Sequence, residues 1–108
     1  MTMLQSVFKI EDDSKKDALL EIVSDKYCRS ILGCVMDKPK SAIEITAETN
    51  IPLSTIYRRI QILCDSKLLA VSGALSEDGK KFFLYKNKIK SINTGFSEGK
   101  IDVEIVLL

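Results

Sequence analysis

The chain has 108 residues, of which 45% are hydrophobic and 29% charged, and its formal net charge is +1. That is one domain of ordinary globular balance, enough for a single core and without the charge excess of a disordered segment. Histidine is absent, which excludes Ser-His-Asp and Cys-His catalysis and any histidine-bearing zinc site.

In chain order, the first thirteen residues show no clear period; Leu4, Val7, Phe8 and Ile10 suit a short extended piece or loose packing. Ser14-Lys15-Lys16-Asp17 has the form of a capping box, which predicts a short helix through Ala18, Leu19, Leu20, Ile22 and Val23. Ser24 or Asp25 caps the next helix, where Cys28, Ile31, Leu32, Val35 and Met36 recur at spacings of three and four. It is expected to stop at Lys38-Pro39, since a residue before proline avoids the helical region. Ser41, with Glu44 three residues later, opens a third helix. Ile43, Ala47 and Ile45 are expected to face inward there, and the helix breaks at Thr49-Asn50. After the turn Ile51-Pro52-Leu53-Ser54, a helix over residues 53–66 has Ile56, Ile60 and Leu63 on one side. Beyond Lys67 the period changes to that of strands. Residues 68–75 and 81–86 flank Ser76-Glu77-Asp78-Gly79-Lys80, a hairpin signal because glycine accepts the positive φ of a tight turn. A second hairpin follows. In it Ile89, Ser91, Asn93 and Gly95 alternate with Lys90, Ile92, Thr94 and Phe96, Ser97-Glu98-Gly99-Lys100 forms the turn, and Ile101, Val103, Ile105 and Leu107 make one buried face.

Charge is distributed unevenly. Residues 1–25 carry three lysines against six acids, whereas residues 53–90 carry eight bases against three acids, a segment of +5. Such a segment fits a localised polyanion-binding face; lysines that merely solubilise strands and turns account for it equally well. The glycines stand singly, so there is no glycine-rich phosphate loop. Cys28, Cys34 and Cys64 make no disulfide framework, and Cys28 and Cys34 sit about 120° apart on a helix, unable to hold one metal from one face. They read as small apolar core residues. No apolar run approaches the ~18 residues of a membrane span, and residues 1–10 lack a basic region leading into an apolar stretch. The expectation is a cytoplasmic protein with no metal and no cofactor, and not an enzyme.

The fold expected is α+β, a winged helix-turn-helix (three helices and a hairpin wing) with an additional C-terminal hairpin. A helix-turn-helix needs a second helix held by an apolar face while the opposite face enters the major groove. On residues 53–66 that free face carries Ser54, Thr55, Tyr57, Arg58 and Gln61. Hydroxyls and helix N-terminal amides suit phosphate oxygens, arginine suits a guanine edge and glutamine an adenine edge. Tyr57 either contacts DNA or packs over the turn. Arg59 lies nearer the core edge, where it contacts DNA or pairs with Glu44 or Glu48. Lys80 and Lys81 follow the wing tip, within reach of a phosphate, with Glu77 and Asp78 opposing them.

On these residues the chain resembles the winged helix-turn-helix domain of ArsR-like transcriptional regulators, particularly small archaeal members. Tyr27-Cys-Arg-Ser-Ile-Leu-Gly-Cys-Val-Met36 is similar to the family's first core helix and Ser41-Ala-Ile-Glu-Ile-Thr-Ala47 to its second. Leu53-Ser-Thr-Ile-Tyr-Arg-Arg-Ile-Gln-Ile-Leu63 resembles the recognition helix, and Ser66-Lys-Leu-Leu69 the turn into the wing. The resemblance covers residues 25–89 and implies a homodimer on a roughly palindromic double-stranded DNA operator. Family metal sensors keep a cysteine pair where this chain has Ile43, Glu44, Ile45, Thr46 and Ala47, so metal sensing by that route is not implied. The C-terminal segment, residues 89–108, ends on uncovered apolar residues and is expected either to cover the domain's own helices or to join a second subunit. The expected activity is sequence-specific DNA binding, with the tip at residues 76–81 beside the helix. The rival is a winged helix that binds protein in a larger assembly. The sequence identifies no small-molecule effector.

Overall fold

Three of the helices begin where a side chain, Asp12, Asp25 or Ser41, takes up an orphan backbone N–H, and the fourth begins after Pro52 without one. A computed structural model describes residues 6–108, so Leu4 and the rest of residues 1–5 lie outside it. Within the described residues the chain is α+β: four helices, and five strands in two antiparallel sheets. Helix α1 spans Asp13–Ser24, and its N-cap is Asp12, whose carboxylate accepts from the Lys15 N–H at 3.0 Å. Ser14, the expected cap, instead lies inside the first turn and donates its hydroxyl to Asp12. Helix α2 spans Lys26–Cys34, capped by Asp25. It ends four residues before the expected boundary at Lys38-Pro39, yet Val35 stays fully buried, so the apolar stripe outlasts the helix.

Helix α3, Ala42–Thr49, opens on a complete Ser41–Glu44 capping box and closes on Asn50 in the left-handed region. Its buried residues are Ala42 and Ile45, while Ile43 is 69% exposed and Ala47 is exposed as well. Ile45 thus faces inward as expected, whereas Ala42 takes the inward place expected of Ile43 and Ala47. Helix α4, Leu53–Asp65, buries Ile56, Ile60 and Leu63. Helices α2, α3 and α4 pack on one another around Ile31, Ile45, Ile56 and Leu63, all at 0% exposure.

Strands β2, Leu69–Leu75, and β3, Lys81–Asn87, pair from Leu69↔Asn87 out to Leu75↔Lys81. Lys40 is bonded to Tyr85 in both directions, at 3.0 and 2.8 Å, so the loop before α3 covers the outer edge of β3. The other sheet has the order β1-β5-β4, formed by Val7–Ile10, Lys100–Leu107 and Ile89–Ser97. The sequence pointed to a bare hairpin here; β1 adds a third strand, and the C-terminal strand becomes the central one. A bulge between Ile89 and Ser91 breaks the expected alternation. It turns Ile89 onto the face shared by Ile92, Val103, Ile105 and Leu107, which packs toward α1 and the helical core. Where β1 stops short, Lys16 of α1 donates to the free carbonyl of Ile101 at 3.0 Å.

The two sheets and α2 meet at one polar residue. Asn87 is 3% exposed. Its backbone N–H donates to Val35 O at 3.0 Å and its side-chain amide to Leu32 O at 3.1 Å, while its Oδ1 accepts the Ile89 N–H at 2.8 Å. Asn87→Leu keeps the volume but strands the buried Ile89 N–H, at a cost of about 1–3 kcal/mol, and leaves the half-buried Leu32 carbonyl without its donor. Thermal unfolding followed by circular dichroism is expected to show Tm lowered by about 10 °C.

Candidate nucleic-acid interface

Asn50, in its left-handed conformation, turns the chain sharply out of α3, and buried Ile51 anchors the turn before Pro52 starts α4. The apolar stripe of α4 then dictates what remains outside. At about 100° per residue, Ser54, Tyr57, Arg58 and Gln61 fall within an arc of about 100°, opposite Ile56, Ile60 and Leu63. All four are exposed. Among the described residues Arg58 forms no ion pair, so its guanidinium is available. Gln61 gives one amide hydrogen to Asp65 Oδ1 at 2.9 Å, keeping its carbonyl and second N–H.

Thr55 and Arg59 are not brought to this arc. Thr55 is half-buried on the flank of the helix. Arg59 lies further round; its Nε donates to Asp25 Oδ2 at 2.9 Å and its guanidinium stands 5.4 Å from the Tyr27 ring centroid. Neither Glu44 nor Glu48 is its partner; Glu48 is instead held by Lys40 at 2.6 Å and by the Cys34 thiol at 2.9 Å. Arg59 thus joins α4 to the start of α2. Burial raises the Asp25 carboxyl, but the hydrogen bonds from Arg59 and Cys28 outweigh it and hold the group below the usual carboxylate range.

At the hairpin tip Ser76 and Lys80 close a turn through Ser76 N–H to Lys80 O at 2.9 Å, with Gly79 at a φ of +83°. Lys80 reaches toward Asp78 at 4.0 Å, with both side chains largely exposed. The hydrogen bond from Ser76 keeps the Asp78 carboxyl below its ordinary range, so the acid at the tip stays ionised. Lys81 has no carboxylate partner among the described residues and lies 5.4 Å from the Phe83 ring. The hairpin also exposes Val71, Leu75 and Phe83, which share one face.

The chain matches no family model. A search of curated proteins finds no match either.

No cluster of three or more metal-ligating side chains occurs among the described residues. Burial pushes the Cys28 thiol up to about 12, and burial with the Glu48 hydrogen bond pushes Cys34 up to about 11, so both are protonated at neutral pH. No described helix is long and apolar enough to cross a membrane. Two features escaped the sequence reading. The Asp25–Arg59 pair joins residues 34 apart, which no local pattern reveals; only the capping role of Asp25 was visible. The apolar groove beside α1 depends on the unforeseen β1–β5 pairing.

Asp25 both caps α2 and holds Arg59, so Asp25→Ala is expected to lower stability by about 1 kcal/mol or more from the cap alone. A carboxyl depressed by folding contributes stability above its unfolded value of about 3.9 and loses it as pH falls through the folded value. Urea unfolding of the parent and Asp25→Asn at pH 7 and pH 3 checks the sign. The gap between them is expected to be full at pH 7 and to shrink at pH 3.

Proposed function

We propose that the chain is a winged helix-turn-helix regulator that binds double-stranded DNA as a homodimer, with α4 in the major groove and the β2–β3 tip against the backbone. The observation that carries this reading is the exposed arc of Ser54, Tyr57, Arg58 and Gln61, opposite a fully buried stripe. A groove-reading helix has to be anchored on one side and chemically equipped on the other. Arg58 is the residue assigned to a base edge, Ser54 and Tyr57 to phosphate or sugar, and Gln61 to a base edge through its remaining donor and carbonyl. Arg59 is assigned to holding α4 on α2, and Thr55 to the flank. Lys81 is assigned to a phosphate; Lys80, shared with Asp78, contributes less. Two half-sites about one helical turn apart call for a symmetric dimer.

A second reading is supported by the exposed Val71, Leu75 and Phe83 strip. An apolar projecting hairpin suits a protein partner in a larger assembly better than it suits a phosphate backbone.

Fluorescence anisotropy on operators selected from random genomic fragments separates the two. Affinity is expected to fall steeply between 50 and 200 mM salt, since roughly 0.9 counterions leave per phosphate neutralised. No binding at micromolar protein, or a flat salt response, favours the protein-binding reading. Arg58→Ala is expected to weaken the selected operator about tenfold more than random duplex. Lys81→Ala is expected to weaken both alike and to lower the salt slope by about one. Light scattering at tens of micromolar is expected to give twice the chain mass.

A further inference from the structure

Between α1, the sheet face carrying Phe8, Ile105 and Leu107, and the connection leaving α4 lies a groove of about 630 Å³. That size is within the ~300–1,000 Å³ of small-molecule sites. Its wall is apolar, with Leu19 and Leu68 forming the floor from the core side. Around it stand Lys15, Lys67 and Lys88, none of which has a carboxylate partner among the described residues. The lining includes one acid, Asp65, and its Oδ1 already accepts from Gln61.

We propose that this groove binds a small amphipathic anion, an aliphatic or aromatic body ending in a carboxylate. The apolar wall removes the body from water, at about 25 cal/mol per Å² buried, and the lysines meet the charged end. A second copy of the chain is a poorer occupant. Stacked groove to groove by a twofold axis, it would oppose two sets of three lysines with only one Asp65 in each set. The groove also touches Asp65, Ser66 and Leu68, through which α4 passes into β2, so occupancy bears on the helix assigned to DNA. That consequence rests on the DNA reading; the binding itself does not.

The test uses the full chain without DNA. The fluorescence of 1-anilinonaphthalene-8-sulfonate, an aromatic anion, reports groove occupancy, and decanoate and decanol compete for it. Decanoate is expected to displace the dye about tenfold more effectively than decanol, as three exposed charge contacts would allow. Lys15→Gln/Lys88→Gln is expected to weaken decanoate about fivefold and leave decanol unchanged. Ala18 lines the groove on an exposed face of α1, so Ala18→Trp is expected to abolish displaceable dye binding with an unchanged circular dichroism spectrum. Equal displacement by decanol and decanoate, no displaceable dye, or full binding by Ala18→Trp overturns the proposal. An unchanged decanoate affinity in the lysine double variant overturns the assignment of the charged end.

Discussion

A buried amide holds the two halves of this molecule in register. Asn87 ends β3, and within two residues the chain begins β4, so the direction in which the second sheet leaves the first is set there. A buried asparagine has four hydrogen-bonding positions to satisfy, and satisfying them fixes geometry more strictly than apolar packing does. Here its backbone and side chain bind two carbonyls at the end of α2, and its Oδ1 binds the first amide of β4. Helix, hairpin and sheet are thereby fixed to one another. The bulge that follows at Lys90 turns Ile89 into the core. An apolar residue at position 87 would pack, but it would not specify where β4 goes.

What the sequence made legible was local. The stripe Ile56, Ile60 and Leu63, the Ser41–Glu44 box and the two glycine-bearing turns each carry their signal within a few residues, and each is seen in the structure. In α3 the pattern was ambiguous, because an eight-residue helix has two competing stripes: Ala42 with Ile45, and Ile43 with Ala47. Packing against α2 and α4 chose between them. Asn87, the pairing of β1 with β5 and the bulge were invisible, since each depends on residues brought together from distant parts of the chain. Of the candidate site, the arc on α4 was legible from helical period alone. The separate fate of Arg59 was not, because it depends on Asp25.

Adjacent arginines on α4 show how one step of about 100° divides structural from solvent-facing chemistry. Arg58 is exposed and forms no ion pair among the described residues. Arg59 lies against the Tyr27 ring and the Asp25 carboxylate, with both ionic side chains about a quarter exposed. A pair this open to water contributes little stability by itself, but it shares its carboxylate with the cap of α2. The helix that bears the exposed arc is therefore held at its middle by a polar tether as well as along its length by the apolar stripe.

The strand order has a consequence for the time course of synthesis. Strand β1 ends at Ile10, yet its partner β5 begins only at Lys100 and ends at Leu107, whose N–H closes on Ser6 O at 2.9 Å. At 5–20 residues per second, the strand bearing Val7 and Phe8 waits roughly 5 to 20 s on the ribosome before the strand that pairs with it exists. The helices α2 to α4 contact near neighbours in sequence and have no such delay. Until β5 is made, β1 lacks the strand it pairs with, and Lys9 within it and Glu11, Asp12 and Asp13 just after it are the charges at that edge.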